Sequence, residues 1–423
     1  MTIGIDCRTI LNVAGGERAG VGHYTYYLVK NLLAVDKKNN YILFFDSRFK
    51  DVDEFKKYRH VTIRYFPFYQ FKKYLPFVYS QIFISAILNR ANLDVYHAPA
   101  NIIPLFYHYK SVVTIHDLGI YKYPEFFPKK FFSQQLLAKK ILVPKSLKRA
   151  VKIIAVSKNT KSDIIEQFKV LEDKIEVVYE GVLDNSGACD NINNFDDIAK
   201  KYGISGKYVL FLGTIEPRKN IINLIKAFRT SRLVYNSPLN DYQLIIAGNH
   251  GWSDRPIYQA ISDANASILG IKEKRTGVER RNGFDHRIES KIERRIGKDR
   301  RQNQPIKYIG YVPDNEKMIL FCKTKCFIFP SFYEGFGLPV LEAMSLGLPV
   351  ITSGVSSLPE ITGNDGAILI NPHKESEISE ALQKVVSDKL LRDSLVVAGH
   401  ERSQYFNWRK CAKETLAVYK SIK

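Results

Sequence analysis

The sequence predicts two Rossmann-like α/β domains facing each other across a crevice, on three observations. Short apolar runs alternate with helical patterns through residues 1–182, the signature of a mostly parallel sheet covered by helices. An Asn/Asp/Gly-rich stretch, Leu183–Asp197, interrupts that pattern and reads as a linker, after which the alternation restarts. A chain of 423 residues is too long for one ordinary domain and suits two, and 45% hydrophobic residues supply two cores.

The elements follow in order. Thr2–Asp6 reads as a strand, and Gly20–Leu33 as a helix with Tyr24, Tyr27, Leu28 and Asn31 on one face. Tyr41–Phe45 and Val61–Tyr65 are strands, Tyr74–Leu88 a helix, and Val95–His97 and Val112–Ile115 strands again. Lys130–Arg149 is a helix, Lys152–Val156 a strand, and Ile175–Tyr179 closes the first half. In the second half Tyr208–Leu212, Gln243–Ala247, Lys307–Gly310, Cys326–Phe329 and Val350–Thr352 read as strands. Asn220–Thr230 and the stretch after Pro339 read as helices.

Composition narrows the class. Five scattered cysteines fit a reducing compartment and argue against a disulfide framework; Cys322 and Cys326 could pair on one helix face, but no His or Cys partner stands at zinc spacing. The chain opens on a strand pattern, with no charged segment followed by an apolar run as in a secretory signal. Tyr74–Leu88, the most apolar long stretch, has fifteen residues and is short for a membrane span. The net charge of +20 draws anions such as lipid, phosphorylated substrates or nucleic acid. Lys272–Arg301 contributes twelve Lys/Arg against six Asp/Glu. It repeats Glu-x-Arg-x-Gly-x-(Asp/Glu)-x-Arg three times, at Glu273–Arg281, Glu279–Arg287 and Glu293–Arg301. Such a segment buries little apolar surface and reads as an insertion over 272–304, either an arm for an anionic partner or a tolerated surface excursion.

The densest chemistry lies in Ser331-Phe-Tyr-Glu-Gly-Phe-Gly-Leu-Pro-Val-Leu-Glu-Ala-Met344. A strand runs into a glycine turn and then a helix with Pro339 at its start. Gly335 and Gly337 let the backbone approach a ligand, and free N–H groups at the helix start favour an anion. Glu334 and Glu342 aim carboxylates at the same crevice, Glu342 from the first helical turn. The alternative is a generic strand-to-helix turn with a solvated glutamate. A second stretch, Gly213-Thr-Ile-Glu-Pro-Arg-Lys-Asn220, follows a strand and sets Arg218 and Lys219 at the crevice mouth. Fixed cations there would stabilise charge on a departing diphosphate; the plainer reading is a solvated basic loop.

The first stretch resembles the Glu-x7-Glu signature of retaining glycosyltransferases of family 4, which have the two-domain GT-B fold, and the second resembles that family's donor-phosphate motif. The resemblance implies a donor-binding domain over 206–395 and an acceptor-binding domain over 1–182. Between them lies a linker over 183–205, and a helix over 396–423 crosses back, with Trp408 packed between the domains. It implies a nucleotide sugar as cosubstrate, no cofactor, no metal site, and transfer with retention by a front-face route. Glu334 would meet the donor sugar and its phosphate surroundings, together with Gly335, Phe336, Gly337 and Leu338. Glu342 would hold the ribose, and Arg218 and Lys219 the diphosphate.

Further motifs fit less tightly. Gly15–Gly22 follows the first strand, and Gly20 and Gly22 match the family's glycine loop best. Ile115-His-Asp-Leu118 places His116 and Asp117 at a strand's carboxyl end, where His116 would bond a sugar hydroxyl or orient the transferred group. His97 stands after another strand and is either an acceptor contact or a satisfied core histidine. Ser157–Asp163 resembles a family motif, though helix capping accounts for it fully. Gly248-Asn-His-Gly-Trp252 resembles a stretch seen in mannosyl-transferring members and favours GDP-mannose. A UDP-sugar donor is the alternative. Phe66–Tyr79 mixes aromatics with Lys72 and Lys73 and reads either as a membrane-interface segment or as a core helix. The expected enzyme is cytoplasmic and peripheral on the inner face of the cell membrane. It would act on a glycan or lipid-linked glycan in polysaccharide or lipopolysaccharide synthesis, with no nucleic-acid partner. The rival of another class is a basic membrane- or nucleic-acid-binding protein acting through 273–301.

Overall fold

The computed structural model describes residues 1–10, 20–67, 78–127, 134–183, 187–189, 194–270 and 304–422. The first part of the glycine loop, most of the aromatic stretch 66–79, much of the linker and nearly all of the charged insertion lie outside these residues.

The two expected sheets form. In the first, β1 (Thr2–Asp6), β2 (Asn40–Asp46), β3 (Val61–Phe66), β4 (Val95–Ala98), β5 (Ser111–Ile115), β6 (Lys152–Ala155) and β7 (Ile175–Val177) run parallel in the order β3-β2-β1-β4-β5-β6-β7. In the second, β8 (Lys207–Leu212), β9 (Tyr242–Ala247), β10 (Ile306–Tyr308), β11 (Phe327–Phe329), β12 (Val350–Ser353) and β13 (Ile368–Ile370) run parallel in the order β10-β9-β8-β11-β12-β13. Both sheets carry helices on both sides, which is why central strands such as Val209-Leu-Phe211 are apolar without alternation. Strand order reverses between β1 and β4 and again between β8 and β11. Ligands of such sheets sit outside the carboxyl ends at these reversals.

The chain crosses between the domains twice, side by side. Phe406 is buried in the second core, while Trp408, only two residues on, is buried in the first. Val182 N–H donates to the Phe406 carbonyl at 3.0 Å, and a Cβ on Gly181 would come within 2.3 Å of Trp408 N, so only glycine fits there. The terminal helix Trp408–Lys420, capped by the Asn407 side chain, buries Trp408, Cys411, Ala412 and Tyr419 in the core it shares with helix Val21–Val35.

Several local expectations change. The stretch read as a helix over Tyr74–Leu88 enters the described residues as a π-helical turn, Val78–Phe83, that passes into helix Ile84–Asn89. Asn31 is half-buried and turns its amide to the Tyr27 carbonyl. The segment read as linker ends in helix Phe195–Tyr202, whose Ile198 joins the second core. Cys189 and Cys322 form a disulfide across 133 residues, against the expectation of unpaired thiols. Cys326 is buried at the edge of β11 rather than beside Cys322 on a helix. Only the fold brings Cys189 to the helix Asp314–Lys323, so spacing could not reveal the pair.

His97 is a core residue. Its Nδ1 meets the Tyr419 hydroxyl at 2.6 Å and its Nε2 the Thr114 hydroxyl at 2.8 Å. Burial pushes its pKa down to about 3, so the ring is neutral in the folded protein. Between that value and the ordinary 6.5 the unfolded chain binds the extra proton, so stability must fall as pH drops through this window. We predict that a His97→Gln variant is less stable than the parent at neutral pH, and that the gap narrows towards pH ~4. Urea unfolding at a series of pH values checks this; a gap that stays constant would refute it.

Candidate active site

The loops after β8 and β11, the two strands at the reversal of the second sheet, bring Arg218, Lys219 and Glu334 together across more than a hundred residues. Lys219 Nζ donates to Glu334 Oε1 at 2.6 Å, and Arg218 donates to Glu334 Oε2 at 3.2 Å and to the Tyr333 carbonyl at 2.8 Å. Arg218 also pairs with Glu216 at 2.8 Å, a residue of the motif that carries no role in the sequence reading. Burial pushes the Glu334 carboxyl up, but the ammonium of Lys219 and the guanidinium of Arg218 outweigh it and hold it below the ordinary carboxylate value. For Glu216 burial prevails over the same two cations and raises the pKa. Burial also opposes the charge on Arg218, yet Glu334 and Glu216 keep it firmly protonated. Two cations and two carboxylates thus form a cluster whose formal charge is zero.

The glycine turn meets the other domain. Gly335 is packed so tightly that a Cβ would lie 1.6 Å from the His116 carbonyl oxygen. Its own carbonyl accepts from Ser157 Oγ at 2.7 Å and Thr160 Oγ1 at 3.2 Å. The close approach expected of Gly335 is therefore to the first domain's backbone. Ser157 does cap the helix Lys158–Phe168, but capping does not account for it fully, because its hydroxyl also reaches Gly335. Tyr333 donates to Asp163 at 2.8 Å and accepts from Leu118 N–H at 3.2 Å. Glu360, unmarked in the sequence, accepts from the N–H groups of Lys158 and Asn159 at 2.8 and 2.7 Å. Phe336 is buried in the second core, leaving its backbone alone to face the turn. Gly337 has a φ of +116° and precedes helix Leu338–Ser345, in which Pro339 is second.

Glu342 is the fifth residue of that helix, one position beyond the first turn in which the spacing placed it. It pairs with Lys317 at 3.2 Å. Burial lowers the Lys317 pKa, but Glu342 and Asp314 together raise it above its ordinary value. No local signal ties Lys317 to Glu342; the fold of helix Asp314–Lys323 does. His23, on the helix that follows Gly20 and Gly22, senses both members of this pair, and its buried Nδ1 has no hydrogen-bond partner. Gly20 has a φ of +59° with open space around it, and Gly22 is buried inside the helix.

The His116 ring does not offer a free nitrogen. Its Nε2 meets the Pro99 carbonyl at 2.7 Å and its Nδ1 the buried Glu180 carboxylate at 3.1 Å. Both ring atoms therefore face acceptors inside the domain, not the hydroxyl expected for them. Asp117 is exposed and accepts from Gly119 N–H at 3.1 Å. His97 is wholly buried in the core and offers no surface to an acceptor sugar. The Gly248–Trp252 stretch has structural work: a Cβ on Gly248 would lie 1.9 Å from the Gly213 carbonyl, which seats the loop against the Arg218 motif. Trp252 stacks on Phe127 and donates to the Phe126 carbonyl at 2.7 Å, bridging the domains. Among the described residues no three His, Cys, Asp or Glu side chains are grouped to hold a metal ion, and no helix is long and apolar enough to cross a membrane.

The ion cluster sets a test. Lys219→Met should cost about 3 kcal/mol of stability, because it strips a cation from a buried carboxylate. Adding Glu334→Gln should recover part of that loss, since the charge that needed the partner is gone. Additive losses in denaturant unfolding would show that the two groups do not interact.

Comparison with known proteins agrees with this fold. Residues 289–402 match the model "Glycosyl transferases group 1", and residues 18–184 match "Glycosyltransferase Family 4". The O-antigen chain mannosyltransferase B of Escherichia coli is 30% identical over 332 residues, covering 78% of this chain and 74% of that one. The O-antigen chain mannosyltransferase RfbU of Salmonella typhimurium is 27% identical over 293 residues, 69% of this chain and 65% of that one. Among solved structures, WaaG, a glycosyltransferase involved in lipopolysaccharide biosynthesis, superposes with a TM-score of 0.66 at 13% identity, over 99% of this chain and 100% of that one.

Proposed function

We propose that this chain, which belongs to the group 1 glycosyltransferases of family 4, moves mannose from GDP-mannose onto a saccharide or lipid-linked glycan, with retention of configuration, in cell-surface polysaccharide synthesis. The observation that carries the reading is the convergence of Arg218, Lys219 and Glu334 at the carboxyl ends of two adjacent parallel strands. Cations fixed in a buried site stabilise charge on a departing diphosphate with little reorganisation. The names of the O-antigen mannosyltransferases from Escherichia coli and Salmonella typhimurium support the sugar.

In this reading the diphosphate competes with Glu334 and Glu216 for Arg218 and Lys219, and takes N–H groups at the start of helix Leu338–Ser345. Glu334 then turns to the donor sugar. Glu342 exchanges Lys317 for the ribose hydroxyls. Gly20 and Gly22 flank the donor from the first domain, and exposed Asp117 faces the acceptor. His116 positions the Gly335 turn through its main chain.

Thermal shift with GDP, UDP and ADP tests the donor. A selective rise of several degrees with GDP is expected, as ligand in large excess over its Kd stabilises by about 3 kcal/mol. The Glu342→Ala variant should bind GDP roughly tenfold more weakly through loss of a charged hydrogen bond. A selective response to UDP would overturn GDP-mannose, and no response to any nucleotide would overturn the transferase site as assigned. With GDP-mannose and an acceptor, NMR of the product should show an α-linked sugar; a β-linkage would overturn retention.

A further inference from the structure

The donor site makes no use of one face of the first domain. The first sheet is covered on one side by helix Val21–Val35 and the terminal helix. The other side is covered by helix Lys158–Phe168 and, beside it, by helix Ile84–Asn89, the segment 99–110 and helix Gln134–Arg149, all in a separate core. The last three pieces are bonded into one layer. Gln81 Oε1 accepts from Leu105 N–H at 2.8 Å, and Asn89 donates to the Phe106 carbonyl at 2.9 Å. Ser146 Oγ accepts from Ile103 N–H at 2.9 Å, and Arg149 donates to the Leu105 carbonyl at 2.6 Å. The same layer reaches the crevice, where Pro99 and Asn101 hold His116.

Two independent features mark its outer side. Residues 78–93, 99–116 and 134–151 hold seven Lys/Arg and not one Asp or Glu. Large apolar side chains also lie open on it: Ile82 at 45% exposure, Phe83 at 42%, Phe106 at 42%, Tyr109 at 58% and Ile141 at 47%. Between them Arg90, Lys110, Lys140, Lys145 and Lys148 are exposed. Single exposed apolar residues are ordinary, but five on one acid-free layer are not. A nucleic acid would use the cations and gain little from Ile82 or Phe83, and the centre of a protein interface is depleted in lysine. An anionic bilayer uses both, aromatic and aliphatic groups entering the headgroup region and lysines meeting phosphates.

We infer that this face docks on an anionic lipid bilayer. The inference deepens the proposed function and rests on its lipid-linked acceptor, which docking would bring to the lip of the crevice. The surface is the layer around Phe83, Phe106 and Lys145, distinct from the charged insertion.

Flotation of the full chain with vesicles tests it, using phosphatidylcholine alone and phosphatidylcholine with about a quarter phosphatidylglycerol. Binding only to the anionic vesicles, weakened by salt, is expected. Lys140→Gln, Lys145→Gln and Lys148→Gln combined should weaken it about a hundredfold. Phe83→Ser with Phe106→Ser should weaken it roughly tenfold or more, from lost apolar burial. Both variants should keep the parent's melting temperature and its shift with GDP, so loss of the GDP shift in the parent reports failure of the donor reading, not of this one. No binding by the parent overturns the inference. So does parent-like binding by both variants, or equal binding to an oligonucleotide with no effect of the serine pair. Loss of a dimer in the serine pair, seen by light scattering without vesicles, would reassign the face to a second copy of the chain.

Discussion

A buried carboxylate held between two cations organises the mouth of the second domain. Glu334 cannot stay ionised inside the protein unless it is paired, because stripping water from an isolated charge is too costly. Lys219 and Arg218 supply the partners, and Arg218 in turn is held by Glu216 and the Tyr333 carbonyl. The loops after β8 and β11 are therefore locked to each other by charge. The cations stand ready in fixed positions, the condition under which they stabilise a developing anion most effectively.

The segment Tyr333-Glu334-Gly335 also joins the domains. Tyr333 and Gly335 bond to the first domain, through Asp163, Leu118 and the hydroxyls of Ser157 and Thr160, while Glu334 between them bonds to the second. Any relative movement of the domains must pull on the residues flanking the buried carboxylate. The hinge side is pinned differently, by the paired crossings at Gly181–Val182 and Phe406–Trp408. The residue proposed to meet the donor and the residues that join the domains thus share one short segment.

What was legible in the sequence follows the range of the interactions. Apolar runs such as Ile3–Ile5 and Leu244–Ala247 announce buried parallel strands locally, and all the strands expected of the second domain form. The Arg218-Lys219 and Glu334 motifs were visible as residue types in a loop after a strand. The register of helix Leu338–Ser345 was misjudged by one position, enough to move Glu342 out of the first turn. Partners set by tertiary packing were invisible. Nothing near Lys317 points to Glu342, nothing near Cys189 points to Cys322, and the His116 ring is turned inward by Glu180, sixty-four residues away. Gly335, expected to make room for a ligand, makes room for a neighbouring carbonyl instead, and Gly248 does the same.

The net charge of +20 needs a location, and the ion cluster around Glu334 is not it. Arg218 and Lys219 are balanced by Glu216 and Glu334, and Lys317 by Glu342. On the proposed donor reading, a nucleotide would meet a site already neutral and would have to win its cations by geometry rather than by long-range attraction. The layer beside β4 and β5 has the opposite character: its lysines have no acid within the three segments that build it. Charge that is paired orders a site, whereas charge left unpaired on an apolar face attracts a surface. The fold separates the two, setting paired charge in the crevice and unpaired charge on the flank.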